Sequence, residues 1–364
     1  MRIVGCRSIR FSTLLKPRRN RSLPARVVET LSWAAAARAQ LELSHRPDEV
    51  HRVPTEDGAS IALSRYYPRQ RRRFAEPVIL CHGLGANRFN LDFDERYSVA
   101  RFLAARGFET WVMELRGRGL AGPPVDATFD DQAQHDAGAA LRTVLATGAK
   151  QVTWVGHSKG GMIAFAHLAR NPSAPIRAIV GLGSPGTFGV QHGLRHFIRS
   201  IHPFLKLHVV PTGRLTALAR LGAPPGPITR YMLNLDNMEE DVVRRSLANV
   251  PADVPGGVAR QFARWIATGN FDSADGSFDY RRQMADIRTP VLFLAGAKDL
   301  LAPPAAIRVA QLALGGPTEL VLASRAHGFC ADYGHADLVL GRRAPEEVFP
   351  HLAGFLAAHS TPVA

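Results

Sequence analysis

Residues 151–161 read Gln-Val-Thr-Trp-Val-Gly-His-Ser-Lys-Gly-Gly, and this stretch decides the fold. Residues 151–155 are rich in β-branched and aromatic side chains, which predicts a buried strand. Residues 162–169 are helix formers with apolar side chains at helical spacing. Between strand and helix lies Gly-x-Ser-x-Gly, a pattern typical of a sharp turn that exposes a serine nucleophile. The alternative is an ordinary glycine-rich turn. The predicted strand before the turn and the predicted helix after it favour a catalytic Ser158.

The composition is that of a globular protein. The 364 residues are 46% hydrophobic, the mean hydropathy is −0.06, and no run of eighteen apolar residues predicts a transmembrane helix. The cysteines Cys6, Cys81 and Cys330 form neither a disulfide framework nor a metal-ligand pattern. We therefore expect no metal and no cofactor.

The formal net charge of +14 is concentrated near the N-terminus, where residues 1–28 hold eight Arg or Lys and no acid. This charge indicates either attraction to an anionic surface or solvated arginines without a partner. No basic motif with interleaved aromatics is present, so we expect no nucleic-acid partner. We predict that residues 1–24 are disordered and that 25–48 hold an amphipathic helix, which packs on the body or lies on a membrane.

Strand and helix patterns alternate through the remaining chain. Two opening strands are joined by a predicted hairpin turn over residues 55–58. The predicted strands cover residues 49–54, 60–67, 77–81, 108–114, 151–155, 176–183, 290–296 and 319–323. The predicted helices cover residues 95–106, 129–147, 162–169, 303–314 and 345–359. This order predicts an α/β fold with an open, mostly parallel sheet covered by helices on both faces.

One long segment interrupts the alternation. Residues 186–286 contain helical patterns separated by Pro- and Gly-rich breaks, and these patterns cover 191–205, 213–221, 237–249 and 256–268. A structureless loop of this length does not fit a compact domain. We therefore predict a helical cap inserted over residues 186–286, with the core formed by 49–185 and 287–360.

A serine nucleophile needs a histidine base and an acid that orients it. In an open parallel sheet such groups lie beyond the C-terminal ends of strands. Asp299 follows the strand 290–296 by three residues and is the predicted acid, although a turn or helix-cap role is the alternative. Both His327 and His335 follow the last strand, and the spacing alone leaves the choice between them open.

The third requirement is a pair of backbone N–H groups that bind the oxyanion. The amide of Lys159 comes directly after the nucleophile, and the second amide is expected from Leu84 in the loop after strand 77–81. His82 is predicted to brace this loop. The Lys159 side chain is not expected to take part.

Together these segments resemble the α/β-hydrolase fold serine esterases and lipases over about residues 49–360. Within that superfamily the resemblance is closest to the acid lipases of the gastric and lysosomal type. The matching segments are Val-Pro-Thr-Glu-Asp-Gly at 53–58, His-Gly-Leu at 82–84, Gly-His-Ser-Lys-Gly at 156–160, Tyr-Gly-His-Ala-Asp at 333–337 and Ala-Pro-Glu-Glu-Val at 344–348. The segment at 333–337 resembles the one that carries the family's triad histidine, which favours His335 over His327.

The resemblance implies hydrolysis of carboxylic esters, from small molecules or lipids, through an acyl-enzyme on the triad Ser158, Asp299 and His335. The alternatives are an acyltransferase or thioesterase on the same fold, or a non-catalytic protein that binds ligands or is recruited to membranes. In the cap, Phe188, Phe197 and Phe204 are candidates for an acyl pocket, or else form the cap's own core.

Two departures from the acid lipases affect the expected location. Lys159 stands where those lipases have glutamine, and we expect no secretory signal like that of the animal members. We therefore expect a bacterial relative, cytoplasmic or peripherally attached to a membrane through its basic N-terminus and cap. The oligomeric state is left open.

Overall fold

The computed structural model describes residues 43, 46–188, 207–216 and 229–363. The predicted disordered segment 1–24, almost all of 25–48, the helical pattern over 191–205, and the candidates Phe197 and Phe204 lie outside the described residues. Within the described part, no helix is both long and apolar enough to cross a membrane.

An eight-stranded sheet forms the centre of the described chain, and a separate two-stranded sheet lies within the predicted cap segment. The strands are β1 Glu49–Pro54, β2 Ser60–Tyr66, β3 Val78–Cys81, β4 Thr110–Glu114, β5 Val152–His157, β6 Ile176–Leu182, β7 Val209–Val210, β8 Val254–Pro255, β9 Val291–Gly296 and β10 Thr318–Ala323. The order in the large sheet is β1-β2-β4-β3-β5-β6-β9-β10. Only the β1–β2 and β2–β4 pairs of this sheet are antiparallel. The predicted α/β-hydrolase architecture is confirmed.

Helices follow most of the parallel strands. They are α1 Val99–Ala104, α2 Phe129–Asp131, α3 Ala137–Leu145, α4 Lys159–Arg170, α5 Thr212–Thr216, α6 Thr229–Met232, α7 Glu240–Asn249, α8 Gly256–Thr268, α9 Tyr280–Gln283, α10 Pro304–Ala313, α11 Asp337–Leu340, α12 Ala344–Glu347 and α13 Phe349–Ala358. A π-helical turn, Gln132–Asp136, joins α2 to α3. Short 3₁₀ turns cover Arg88–Asn90, Gly119–Ala121, Leu235–Asn237, Met284–Asp286 and Arg325–His327.

Both faces of the sheet are buried, which explains why its central strands are almost wholly apolar. In β3, Ile79 and Cys81 belong to one apolar cluster, while Val78 and Leu80 belong to a second. Successive side chains of a strand point to opposite faces, so the two clusters lie on opposite sides of the sheet. The parallel register brings the C-terminal ends of the strands to one edge, with Cys81 of β3 beside Gly156 of β5.

Two helices differ from the predicted ranges for identifiable reasons. The helix predicted over 95–106 begins only at Val99, because the Ser98 side chain accepts the Arg101 N–H and caps the helix there. The helix predicted over 345–359 is two helices, α12 and α13. Pro350 lies in the first turn of α13, where its missing N–H costs nothing, and a new helix begins there.

The predicted cap segment contains several described helices. Helix α7 falls within the predicted range 237–249, and α8 matches the predicted range 256–268. Strand β7, which precedes α5, pairs antiparallel with β8, which precedes α8. The cap boundary at 186–286 stays a prediction.

The turn from β5 into α4 depends on glycines because of close backbone approach. A methyl group at Gly156 would overlap the Gly161 amide nitrogen, and one at Gly160 would overlap the Cys81 carbonyl oxygen. Both neighbours are main-chain atoms of the central sheet or its helix, so neither can move aside cheaply. The spacing of glycines around Ser158 is therefore required by packing.

Gly160→Ala is expected to lower the free energy of unfolding by about 3 kcal/mol or more, because the added methyl pushes α4 away from β3. Urea unfolding of the variant and the wild type measures this loss. The matched control is Gly354→Ala in α13, where an added methyl meets no atom within 4 Å. That change should stabilise the protein by about 0.5–1 kcal/mol through helix propensity. Equal unfolding midpoints for Gly160→Ala and wild type would contradict the close approach.

Candidate active site

Ser158 occupies a strained turn at the C-terminal edge of the sheet. Its φ is +54°, and it is the only residue other than glycine with a positive φ in the described part of the chain. The Ser158 N–H donates to the Leu182 carbonyl at 2.7 Å, which ties the turn to the neighbouring strand β6. Such strain persists only where the surrounding structure enforces it, and it is concentrated at functional sites. The local sequence therefore builds a turn that presents the serine.

Asp299 is held rigidly on the loop after β9. Its Oδ1 accepts the N–H groups of Leu301 at 2.8 Å and Ala302 at 2.7 Å. Its Oδ2 lies 2.7 Å from Nδ1 of His335, and both side chains are buried. A carboxylate can only accept, so His335 carries its proton on Nδ1 and leaves Nε2 free to take another.

The structure brings His335 and the serine turn to the same edge. The imidazole of His335 lies 4.7 Å, centre to centre, from that of His157, the residue before Ser158. No hydrogen bond joins Ser158 Oγ to His335 in the described structure. Catalytic hydrogen bonds often tighten only when substrate binds, and the triad of Ser158, Asp299 and His335 stays a prediction.

His327 occupies a different environment. Its Nδ1 pairs with the Ser324 hydroxyl at 2.7 Å, and the side chain is exposed. It lines a surface cavity of about 410 Å³ together with Phe329, Glu346 and His351. Among the described hydrogen bonds, none links His327 to Asp299. This environment favours His335 as the base.

The loop after β3 comes close to the serine. A methyl group at Gly83 would lie 3.4 Å from Ser158 Cβ. The Gly83 N–H is already used, since it donates to Asn90 Oδ1 at 3.0 Å. The next amide, that of Leu84, has no acceptor among the described residues. The Lys159 amide opens α4, where first-turn N–H groups have no partner within the helix.

His82 is held as a neutral brace. Its Nδ1–H donates to the Gly83 carbonyl at 2.9 Å, and its Nε2 accepts the Leu115 N–H at 3.3 Å. Burial, reinforced by the nearby cations Arg118 and Lys159, keeps the pKa of His82 well below its usual range. Because both ring nitrogens are occupied, His82 has no lone pair to offer as a base.

The side chain of Lys159 is completely buried, which the sequence pattern did not indicate. Its Nζ donates to Oε1 of Gln132, in the π-helical turn between α2 and α3. The π turn adds a residue to one helical turn and so changes which side chains face the sheet. Burial lowers the pKa of Lys159 well below its usual range.

Lys159→Met is expected to remove a pH dependence of stability. In the wild type the folded-state pKa of Lys159 lies below the unfolded-state pKa, so the unfolded state binds more protons between these two values. The wild-type free energy of unfolding therefore rises with pH across this interval, by at most about 1.4 kcal/mol per unit. Below the interval the buried charge destabilises the fold in full, and above it the penalty is gone.

Urea unfolding from neutral pH to about 10 measures this slope in both proteins. The variant also leaves Gln132 Oε1 without its donor, and this loss changes the free energy of unfolding by the same amount at every pH. Lys150→Met removes an exposed lysine and should keep the wild-type slope. If the free energy of unfolding had the same slope against pH in wild type and Lys159→Met, the lowered pKa of Lys159 would be contradicted.

Residues from the predicted cap segment hold the loop that carries His335. The buried carboxylate of Asp337 accepts the Gly334 N–H and an Asn237 amide N–H, each at 2.8 Å. Asn234 donates to the same carboxylate at 3.3 Å, and the Ala336 N–H donates to the Met232 carbonyl. Sequence reasoning missed these residues, because no local pattern connects 232–237 with 334–337.

Phe188 is buried in an aromatic cluster. Its ring lies 5.4 Å from Phe262 and stacks at 6.2 Å on Trp265, with Phe129 and Phe271 further along the cluster. This packing shows that Phe188 is part of the hydrophobic core. A role in an acyl pocket stays a prediction.

One group of possible metal ligands occurs in the described part of the chain, formed by Asp57, Asp131 and His135. Both oxygens of Asp57 already accept from the Arg116 guanidinium. Oδ2 of Asp131 accepts the Thr128 N–H and hydroxyl in a helix cap. The carboxylates thus have structural partners, and nothing in this group points to an ion.

The fold and this site define an α/β hydrolase, and comparison with known proteins agrees. Residues 76–332 match the family described as alpha/beta hydrolase fold, and the chain belongs to that family. The chain is 24% identical over 362 residues to gastric triacylglycerol lipase of Bos taurus, covering 85% of this chain and 88% of that protein. It is 33% identical over 147 residues to gastric triacylglycerol lipase of Homo sapiens, covering 36% of this chain and 37% of that one.

A solved structure of a hydrolase from Pseudomonas aeruginosa PA01 shares the fold. It covers 85% of this chain and 98% of its own, with a TM-score of 0.57 and 20% identity. The resemblance to the gastric and lysosomal acid lipases predicted from the sequence is confirmed. The family and its lipase relatives support ester hydrolysis.

Proposed function

We propose that the chain is a serine hydrolase that cleaves carboxylic esters through an acyl-enzyme. Ser158 Oγ attacks the ester carbonyl while His335 Nε2 takes its proton. Asp299 keeps the proton of the neutral ring on Nδ1 and stabilises the imidazolium that forms. The observation that carries the proposal is the 2.7 Å contact between Asp299 Oδ2 and His335 Nδ1, next to a serine in strained backbone geometry.

The remaining steps follow from the same geometry. The amides of Leu84 and Lys159 donate to the negatively charged oxygen of the tetrahedral intermediate, where fixed donors are most effective. The protonated His335 then gives its proton to the departing alcohol. A water molecule, deprotonated by His335 in turn, attacks the acyl-serine and releases the acid.

A thioesterase or an acyltransferase would use the same acyl-enzyme and differ in leaving group or acceptor. The lipase relatives favour an oxygen ester with water as acceptor. A non-catalytic role has no need of a strained serine beside an oriented histidine, because strain of this kind costs about 1–3 kcal/mol.

The test is hydrolysis of p-nitrophenyl esters from acetate to palmitate, run beside labelling with a fluorophosphonate probe. We expect turnover and a covalent adduct that peptide mass spectrometry assigns to Ser158. Preference for long chains with activation at an interface would identify a lipase, and preference for short chains an esterase. In parallel assays, hydrolysis of acyl thioesters would indicate a thioesterase, and transfer of the acyl group to added alcohols would indicate an acyltransferase. Absence of both turnover and adduct would disprove the proposal.

A further inference from the structure

The side chain of His157 lies between the oxyanion loop and the loop of the triad histidine. It is buried, with 4% of its surface exposed. Its Nδ1 lies 2.9 Å from Asn90 Oδ1, and its Nε2 lies 3.1 Å from the main-chain carbonyl oxygen of His335. Asn90 in turn accepts the Gly83 N–H. One imidazole therefore contacts both structures that must be aligned with Ser158.

The number of protons on the ring favours one of the two contacts as the hydrogen bond. Burial, with the ring of His335 beside it, lowers the pKa of His157 to about 3, so the ring is neutral and has one N–H. Both atoms that face it, Asn90 Oδ1 and the His335 carbonyl oxygen, are acceptors. Asn90 Oδ1 already has the Gly83 N–H as its donor. In the described structure the His335 carbonyl has no donor except His157. A proton on Nε2 gives both acceptors a donor, at the cost of a close approach between the Nδ1 lone pair and Asn90 Oδ1, whereas a proton on Nδ1 leaves the buried His335 carbonyl unpaired.

We propose that His157 is a positioning residue, which donates its Nε2–H to the His335 carbonyl and fixes the main chain of the triad histidine against the serine turn. The proposal rests on the proposed function. It gives His157 no contact with substrate and no part in proton transfer.

Other contacts hold the neighbours of His335, since the Gly334 N–H donates to Asp337 and the Ala336 N–H to the Met232 carbonyl, and His157 bonds the main chain of His335 itself. This residue precedes α11 on a loop that belongs to no strand or helix. Asp299 orients its ring, but the ring can keep that contact while the main chain shifts. Because His157 and Ser158 are consecutive, a bond from His157 to the His335 main chain sets the separation of nucleophile and base directly. A misplacement of about 1 Å between reacting groups can cost about 10²-fold in rate.

Three substitutions at this position separate the contacts. His157→Phe keeps the ring volume and removes both nitrogens, and we expect kcat to fall about 10- to 100-fold while KM changes less than about threefold. His157→Gln places an amide N–H close to the position of Nε2 and should recover kcat to within about threefold of wild type. His157→Asn, which reaches only the position of Nδ1, should resemble His157→Phe. The measurement is steady-state hydrolysis of one p-nitrophenyl ester with unfolding midpoints of all variants.

His167→Phe is the matched control. His167 is also a buried histidine of the same chain segment, on α4, and its Nδ1 bonds a main-chain carbonyl, that of Ala133, at 2.8 Å. This variant should lose thermal stability comparably and keep the wild-type kcat. If His157→Phe does not fold, the kcat values of His157→Gln and His157→Asn alone test the positioning role.

Wild-type kcat in His157→Phe, or recovery by Asn and not by Gln, would overturn the positioning role while the esterase proposal stands. A wild type without Ser158-dependent hydrolysis would overturn the proposed function, and the positioning role with it.

Discussion

Ser158→Ala is expected to lower kcat for p-nitrophenyl esters by about 10⁴- to 10⁶-fold, because the variant has no nucleophile for His335 to activate. The alanine keeps the same Cβ in the same strained turn, so the fold and the oxyanion donors remain. Residual hydrolysis above the uncatalysed rate should persist, since donors at Leu84 and Lys159 still stabilise a direct attack by water. Initial-rate assays at saturating ester measure the loss.

The control for this change is Ser173→Ala, which removes an exposed serine in the turn after α4. It should keep the wild-type kcat, and both variants should keep the wild-type unfolding midpoint within a few degrees. Fluorophosphonate labelling should vanish in Ser158→Ala alone. A Ser158→Ala protein that retains most of its activity would place the nucleophile elsewhere.

His335→Ala is expected to reduce kcat by about 10⁴-fold or more, whereas His327→Ala should leave it within about twofold of wild type. His335 is buried against Asp299 beside the serine turn, and its removal leaves Ser158 without a base. His327 is exposed, and its side chain bonds only the Ser324 hydroxyl among the described hydrogen bonds. Its loss therefore removes one surface contact.

The pair of histidine variants is informative because both residues follow β10 within a short stretch of chain. Comparing kcat in the two proteins, with circular dichroism to confirm folding, separates their roles. The reverse pattern, with His327 essential and His335 dispensable, would move the general base to the other loop. Equal losses in both would indicate that the whole segment 327–335 acts as a unit.

Most of the fold could be predicted because its signals are local. Alternation of apolar strands with amphipathic helices, the hairpin turn at 55–58 and the turn around Ser158 each depend on a few consecutive residues. Helix propensity alone predicted the helix starts inaccurately. A single side-chain cap at Ser98 or a proline at 350 decides where a helix begins. The π turn at Gln132–Asp136 lies inside the helix predicted over 129–147 and was not predicted.

The sequence by itself determined the class of fold and the identity of the candidate nucleophile. The strand, the glycines and the helix that strain Ser158 are contiguous, so the residues 151–169 contain all three. Asp299 followed from its place just after a strand, and the choice of His335 over His327 depended on a family resemblance.

Only the tertiary structure decided what surrounds the serine. His157 meets the carbonyl of a residue 178 positions away, Asn237 meets Asp337 100 positions away, and Lys159 meets Gln132 27 positions away. Such contacts depend on the order of strands in the sheet and on how the inserted segment lies against it. No local pattern encodes a pairing between distant buried polar groups, because each must find its partner through the packing of the whole domain.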